Sequence, residues 1–402
     1  MERLSALLGL GVFIGLAYVI STDRRSVRWQ PVLWGFALQL LFALLILRTT
    51  LGFAIFEWLG LMVSKFLDFS DAGAAFVFGE NFQDFFFAFK VLPTIVFFSA
   101  VISVLYHYGL LQWLVGAIAH IMVRTMKTSG SETLSAAGNI FVGQTEAPLL
   151  IKPYIETMTM SELHAVMTGG FATVAGGVLA AYVSFGIPAE HLIAASVMSA
   201  PAALAMSKIM FPETEDSPTK GEVKLTVEKV NANGIDAIAT GALDGLRLAL
   251  NVGAVIIAFL GVLAAVNALI GWLGMLAGME ALSLESILAV LLSPVAWLMG
   301  VPWADCNEVG TLLGKKTILN EFIAYLDLQA LIETEALSER AVIIATYALC
   351  GFANIGSIGI QIGGIGGIAP SRQSDLARIG FRAMIAGTLA CFTTACIAGL
   401  LL

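Results

Sequence analysis

The chain has 402 residues, of which 58% are hydrophobic and only 12% are charged, with a formal net charge of −8. A soluble domain carries about 25% charged residues, so this composition favours a polytopic helical membrane protein over a soluble protein with a very large core. The basic residues form no continuous stripe, which argues against binding of a nucleic-acid polymer. The four cysteines (Cys306, Cys350, Cys391 and Cys396) lack CxxC spacing and are expected to be core residues.

The apolar segments predict an all-α membrane protein with about eight transmembrane helices. A span needs about 20 mostly apolar residues. The candidate spans are 5–20, 30–49, 92–122, 161–186, 190–211, 245–275, 337–365 and 380–402. The first of them resembles a signal peptide, but no small-x-small cleavage site precedes Ser21, so we expect it to remain as a span.

Basic residues concentrate in alternate loops, and this bias predicts the orientation. The positive-inside rule puts these loops in the cytoplasm, so that both termini face outside. The basic residues are Arg24, Arg25, Arg28, Arg124, Lys127, Lys208, Lys220, Lys224, Lys229, Arg372, Arg378 and Arg382.

Two further segments lie between the predicted spans. The polar segment 213–235 is interpreted as a cytoplasmic linker between two halves of the chain. Residues 51–70 are apolar but carry Glu57, Lys65 and Asp68. This mixture favours a helix lying along the membrane interface, with a ninth span as the alternative.

Regions 129–157 and 304–333 have apolar limbs that are too short to cross a membrane. A limb of about 12 residues makes a helix of about 18 Å, little more than half of a bilayer core of about 30 Å. Each region is therefore predicted to be a re-entrant hairpin with a polar tip. The first would enter from the cytoplasm with Glu146 in its tip, and the second from outside with Asn320 and Glu321 in its tip.

A short internal repeat follows the two hairpins. Residues 170–176 read GFATVAG and residues 351–357 read GFANIGS, at a similar distance after each hairpin glutamate. Because the two halves begin on opposite faces, the repeat would be inverted. Interrupted helices at corresponding positions of two halves point to the binding site of a transporter.

The predicted breaks in these helices supply oxygen atoms for a small cation. The first limb of hairpin 1 ends near 139–143 and leaves carbonyl groups without helical partners, and the second limb begins near Thr145. Thr173 and Val174 lie in the following glycine-rich break and are placed to add oxygens. Sodium takes such ligands, although an ordinary helical threonine bonded to its own backbone is the alternative for Thr173.

The remaining polar residues form a neutral hydrogen-bonding set with two carboxylates and no arginine. They are Gln144, Thr145, Glu146, Glu321, Asn354 and Ser357, with Phe352 as a candidate stacking wall or core residue. An anionic substrate would call for a cationic partner, so this set suits a neutral polyol or amide-bearing solute.

Carboxylates at membrane depth are costly, and internal ion pairs are the alternative role for both of them. Glu321 could pair with Lys315 or Lys316, and Glu146 with Lys152. From the residues alone, the prediction is a cation-coupled transporter for a neutral polar solute.

Three motifs resemble those of the concentrative nucleoside transporters. The pattern GxKxxxNEF occurs as Gly314, Lys316, Asn320, Glu321 and Phe322, GQTEAP occupies 143–148, and CGFANIGSIG occupies 350–359. The similarity runs from about residue 90 to the C-terminus. One departure is Ile323, where the family usually has valine.

The resemblance implies a homotrimer that couples nucleoside import to a sodium gradient by an elevator-type movement. Each protomer would have a scaffold domain and a mobile transport domain. The implied scaffold comprises the two helices of 1–50, helix 92–122 and helix 245–275, and the implied transport domain comprises 129–157, 161–211, 304–333 and 337–402.

The resemblance also implies roles for individual residues. The implied nucleobase contacts are Gln144, Thr145, Glu146 and Val178. The implied ribose contacts are Glu321, Asn354 and Ser357, with Phe352 nearby. The implied sodium site lies near Asn139, Val142, Thr173 and Val174.

Other functions stay open at this point. A proton-coupled nucleoside carrier, a carrier of another neutral solute and a channel are alternatives. An intramembrane enzyme is disfavoured, because the four histidines lack HExxH spacing and no GxSxG motif occurs. The expected location is the cytoplasmic (inner) membrane of a bacterium, with the lipid bilayer as a partner.

Overall fold

The computed structural model describes residues 1–221, 231–276, 278 and 282–402, and this part of the chain forms helices and no strands. The first ten α-helices are α1 (Glu2–Val19), α2 (Trp29–Arg48), α3 (Thr50–Leu67), α4 (Ser70–Phe78), α5 (Leu92–His107), α6 (Leu110–Met126), α7 (Gly130–Gly138), α8 (Met160–Ala172), α9 (Gly176–Ser184) and α10 (Ala189–Met210). The other seven are α11 (Gly234–Leu276), α12 (Leu284–Leu298), α13 (Cys306–Ile318), α14 (Glu321–Glu333), α15 (Glu339–Leu349), α16 (Ile355–Ile368) and α17 (Gln373–Leu401).

Eight helical segments of the described chain are long and apolar enough to cross a membrane. They are Glu2–Val19, Trp29–Arg48, Thr50–Phe78, Phe87–His107, Met160–Ser184, Ala189–Met210, Gly234–Leu276 and Pro370–Leu401. The number of spans agrees with the prediction, but two of the segments differ from the predicted ones. Thr50–Phe78 qualifies although 51–70 was interpreted as interfacial, and predicted span 337–365 is absent because it divides into the short helices α15 and α16.

The predicted single span 92–122 is wrong, since it consists of α5 and α6. The break falls at Gly109, whose φ of 78° lies in the left-handed region that glycine adopts without strain. The predicted span 161–186 is matched by Met160–Ser184, which consists of α8 and α9 with an extended break at Thr173.

Helix α12 was not predicted, because its 15 residues are fewer than a full span requires. It packs along α13, where two glycines allow close approach. A Cβ at Gly310 would lie 2.8 Å from the backbone nitrogen of Ser293, and one at Gly314 would lie 2.6 Å from the Cβ of Leu288. The helix therefore supports the second hairpin from one side.

The two predicted hairpins differ in their second limbs. In 304–333 both limbs are α-helices, and Asn320 separates them by accepting a hydrogen bond from the backbone nitrogen of Ile323 at 2.9 Å. In 129–157 the first limb is α7, but the second is a 3-10 helix (Ala147–Thr157). Pro153 lies inside this segment and lacks the N–H group that a regular α-helix needs there, which disfavours a continuous α-helix.

The predicted linker 213–235 is only partly described, since residues 222–230 lie outside the described residues. Its first part is attached to the start of α7, where the backbone nitrogen of Gly130 donates to the carbonyl of Thr219 at 2.9 Å. At its end the chain is already helical from Gly234, so α11 begins earlier than the predicted 245.

The spanning segments fall into a buried group and an exposed group. Buried residues make up 89% of the most apolar stretch in Met160–Ser184 and in Ala189–Met210, but only 12% of that in Gly234–Leu276. The exposed helices α2, α3 and α11 carry large apolar side chains on their surfaces, as expected for helices that face lipid or another protein. All four cysteines are buried and free, as predicted.

Candidate functional site

The tip of hairpin 1, the start of α14 and the start of α16 line one cavity of about 510 Å³, and α11 supplies the opposite wall. All eight residues that were predicted to contact substrate line this cavity. They are Gln144, Thr145, Glu146, Val178, Glu321, Phe352, Asn354 and Ser357. Residues that are more than 200 positions apart in the chain therefore meet at one place.

The carboxylate of Glu321 is held by two neutral donors. The hydroxyl of Tyr182 donates to its Oε1 at 3.0 Å, and the side-chain amide of Asn354 donates to its Oε2 at 3.0 Å. Only 4% of Glu321 is exposed, yet the residue reaches the cavity wall. Its remaining lone pairs suit the hydroxyl groups of a ligand.

The ion pair of Glu321 with Lys315 or Lys316, which was the alternative to a substrate role, does not form within the described residues. Lys315 lies 2.7 Å from the Oδ2 of Asp327, and Lys316 donates to the backbone carbonyl of Ala348 at 2.8 Å. The second interaction fastens α13 to the end of α15. Both lysines therefore stabilise hairpin 2, and Glu321 keeps its neutral partners.

A chain of hydrogen bonds connects the two hairpins across the cavity. Asn354 caps α16, because its side-chain oxygen accepts from the backbone nitrogen of Ser357 at 2.8 Å. This bond turns its amide nitrogen toward Glu321. The side-chain nitrogen of Gln144 then donates to the hydroxyl of Ser357 at 3.3 Å.

Glu146 folds back onto its own turn, where it accepts a hydrogen bond from the backbone nitrogen of Gly143. A side chain at position 143 would collide, since a Cβ would lie 2.8 Å from a carboxylate oxygen of Glu146. Lys152, the suggested partner of Glu146, is exposed, and the two residues form no ion pair in the described part of the chain.

Several contributors to the site were not among the predicted substrate contacts. Asn251 and Phe259 line the cavity from α11, and Asn320 lines it from the tip of hairpin 2. Tyr182 lies behind Glu321. The available signals were an asparagine within a long apolar helix and a buried tyrosine, which needs a hydrogen-bond partner.

The residues predicted to hold sodium lie where the break in hairpin 1 faces the break after α8. Asn139 is buried, and neither atom of its side-chain amide has a partner among the described residues. A Cβ at Gly169 would lie 3.1 Å from that amide nitrogen. The hydroxyl of Thr173 donates to the carbonyl of the same glycine at 2.8 Å, so Asn139 and Thr173 approach one backbone position.

Backbone hydrogen bonds join the break after α8 to the break in hairpin 1 and to the segment before α16. The nitrogen of Gly176 donates to the carbonyl of Phe141 at 3.2 Å, and the nitrogen of Phe352 donates to the carbonyl of Thr173 at 3.2 Å. The neighbouring residues Val142 and Val174 lie outside regular helix and are buried. The back-bonded threonine foreseen as an alternative does occur, but its oxygen keeps acceptor capacity. An unpaired buried amide beside interrupted backbone fits a small cation.

Three family models match the chain in succession. Na+ dependent nucleoside transporter N-terminus matches residues 8–81, Nucleoside recognition matches residues 88–189, and Na+ dependent nucleoside transporter C-terminus matches residues 191–399.

Similar proteins include two curated mammalian transporters. Solute carrier family 28 member 3 of Homo sapiens is 48% identical over 414 residues, which cover 100% of this chain and 60% of that protein. Sodium/nucleoside cotransporter 1 of Mus musculus is 49% identical over 415 residues, which cover 100% of this chain and 64% of that protein. The chain thus spans about 60% of the length of the curated relatives it matches.

Solved structures of CNTnw superpose over nearly the whole chain. Its inward-facing substrate-bound state has 42% sequence identity and a TM-score of 0.93, with 100% of this chain and 98% of that chain covered. A double variant in an outward-facing state has 41% identity and a TM-score of 0.95 with the same coverage. With the family models and this agreement of fold, the chain belongs to the Na+ dependent nucleoside transporters.

Proposed function

We propose that this protein imports nucleosides across a membrane by symport with sodium, through an elevator-like movement of its transport domain. The observation that carries the proposal is the carboxylate of Glu321, which faces a cavity of about 510 Å³ and accepts side-chain hydrogen bonds from the neutral groups of Tyr182 and Asn354. Ligand pockets commonly have about 300–1,000 Å³, so a nucleoside fits the size. The family is one of transporters and not of enzymes.

The two ends of the cavity suit the two parts of a nucleoside. Glu321, Asn354 and Ser357 would bind the ribose hydroxyls, since a carboxylate accepts from two neighbouring hydroxyl groups. The proposed nucleobase contacts are Gln144, Thr145 and Glu146, with Val178 and Phe352 as apolar walls.

Sodium would bind beside the nucleobase end as a co-transported substrate. Its proposed ligands are the side chains of Asn139 and Thr173 and the backbone carbonyls of Val142 and Val174. Support comes from the unpaired, buried amide of Asn139. Because the same turn carries the sodium ligands and Gln144, ion binding would order the nucleobase end, and linkage requires the nucleoside to favour the ion equally.

The proposed assembly and location follow the resemblance. We infer a homotrimer in the cytoplasmic membrane of a bacterium, with both termini outside. The proposed scaffold comprises 1–50, 92–122 and 245–275. The exposed apolar surfaces of α3 and α11 offer area for lipid and subunit contacts.

Uptake of radiolabelled uridine and adenosine into proteoliposomes tests the function. We expect accumulation above the external concentration only with an inward sodium gradient. Uptake that follows a pH gradient without sodium would select proton coupling, and equilibration without accumulation would select a channel. Chemical analysis of the contents should recover intact nucleoside.

A further inference from the structure

Gln361 lies behind the cavity and contacts one of its proposed nucleobase contacts. It is located in α16 and is fully buried, and it does not line the cavity. Its side-chain nitrogen donates to the side-chain oxygen of Gln144 at 3.0 Å and to the backbone carbonyl of Met167 at 3.1 Å. Both hydrogens of this amide group are therefore engaged.

The backbone contact determines which way both amides face. A carbonyl group can only accept a hydrogen bond, so the group of Gln361 that faces Met167 must be its NH2. The same nitrogen faces Gln144, which must therefore turn its oxygen toward Gln361. As a consequence, the NH2 of Gln144 points toward Ser357 and the cavity.

Space for this pair of glutamines is provided by Gly170, the first residue of the segment GFATVAG. A Cβ at Gly170 would lie 2.8 Å from the side-chain nitrogen of Gln361 and 2.8 Å from the Cβ of Gln144. Any side chain at this position would displace one of the two amides. The glycine of the repeat thus keeps the two glutamines in contact.

We infer that Gln361 is a positioning residue for nucleobase selection. It holds Gln144 with a hydrogen-bond donor toward the substrate, so the site favours nucleobases that present an acceptor, such as a ring carbonyl, at that edge. The inference rests on the proposed function, because it requires a nucleobase beside Gln144. It adds a selectivity residue that touches no substrate.

The variant Gln361→Glu should reverse the orientation of the side-chain amide of Gln144. The oxygen that replaces the amide nitrogen accepts a hydrogen bond from Gln144, whether or not the new carboxyl group keeps a proton for Met167. Gln144 then turns its NH2 away and presents its oxygen to the cavity. Uridine and cytidine report this reversal, because uridine carries a carbonyl group where cytidine carries an amino group.

Equilibrium binding of uridine and cytidine to the purified full chain, at saturating sodium, tests the inference. We expect Gln361→Glu to shift the ratio of the two dissociation constants about tenfold toward cytidine, as expected for exchanging one hydrogen bond. Gln361→Met, which releases Gln144, should shift the ratio in the same direction by a smaller factor. With each nucleoside present at the same multiple of its own dissociation constant, the sodium concentration for half-maximal binding should stay unchanged in both variants.

Gln39→Met is the matched control. Gln39 is also a fully buried glutamine, its nitrogen donates to the hydroxyl of Thr394 at 2.7 Å, and its oxygen has no partner among the described residues. Its variant should leave the ratio unchanged. Folded Gln361 variants with the wild-type ratio, or with no binding of either nucleoside, would overturn the inference, whereas wild-type protein that binds neither nucleoside would overturn the proposed function instead.

Discussion

Single residues in this site act through hydrogen bonds that have long-range partners. Glu321 was foreseen as a carboxylate facing either a substrate or a lysine, and its hydrogen bonds from Tyr182 and Asn354 favour the first role. Sequence reasoning could select Glu321 because a carboxylate at membrane depth is expensive. It could not identify Tyr182, because this residue lies 139 positions away and no sequence feature distinguishes it from other tyrosines in apolar helices.

The change Glu321→Gln should weaken uridine uptake about ten- to hundredfold, since hydrogen bonds to charged groups contribute roughly 1.5–3 kcal/mol each. The new amide has one acceptor oxygen where the carboxylate has two, so fewer lone pairs remain for the ribose hydroxyls. Initial rates of uptake over a range of uridine concentrations measure the effect. Glu333→Gln, at the exposed end of the same helix, is the control and should behave as wild type. Wild-type affinity in Glu321→Gln would contradict the ribose assignment.

The change Thr173→Val should raise the sodium concentration for half-maximal uptake about fivefold, which corresponds to losing roughly 1 kcal/mol of interaction. Thr173→Ser should restore the wild-type value, because it returns the hydroxyl. Thr168→Val is a matched control, since Thr168 lies in α8, five residues before Thr173, and its hydroxyl also donates to the carbonyl four residues earlier, at 2.7 Å. Equal sodium dependence in Thr173→Val and Thr168→Val would argue against Thr173 as a ligand.

At the scale of elements, the helix ends on the hairpin 1 side depend on a buried ion pair. Glu132 and Glu162 complete capping boxes at the starts of α7 and α8. Lys208, from the end of α10, lies 2.6 Å from Glu132 and donates to the hydroxyl of Ser161 at 2.9 Å. One buried lysine therefore joins three helix ends.

Lys208→Met should lower the midpoint of thermal unfolding by several degrees, because removing one partner of a buried ion pair leaves the other charge uncompensated, at a cost of roughly 3–5 kcal/mol. Tryptophan fluorescence of the purified protein on heating measures it. The exposed Lys152 supplies the control Lys152→Met, which should leave both the midpoint and the uptake unchanged. An unaltered midpoint in Lys208→Met would show that the pair adds no net stability.

At the scale of the whole molecule, the proposed movement requires α9 of the transport domain to slide past α5 of the scaffold. These helices are in contact. A Cβ at Gly177 of α9 would lie 3.2 Å from the hydroxyl oxygen of Ser99 in α5. Two cysteines at these positions are close enough for a disulfide bond.

Oxidation of the double variant Ser99→Cys with Gly177→Cys should abolish uptake while nucleoside binding persists, and a reducing agent should restore uptake. The two single-cysteine variants are the controls and should not respond to oxidation. Full uptake with the disulfide formed would contradict a sliding movement at this interface.

By itself the sequence determined the membrane class, the positions of the polar tips and several polar residues of the cavity wall. These follow from local rules: a span needs a minimum apolar length, and polar groups such as Glu321 persist at membrane depth only where they line a cavity or find partners. The helix breaks near Thr173 and Asn320 could also be foreseen, because glycines and capping residues close to each break in the sequence indicate where a helix ends.

Only the tertiary structure decided the partners of these groups. Lys315 and Lys316 lie within six positions of Glu321 in the chain but donate hydrogen bonds to Asp327 and to the backbone carbonyl of Ala348 instead. Gln361 donates a hydrogen bond to Gln144, which lies 217 positions away in the chain. Helix α12 packs against hairpin 2, although its 15 residues are too few to be predicted as a transmembrane span. Hydrogen bonding depends on distances of about 3 Å between side chains, and separation along the chain carries no information about distances on that scale.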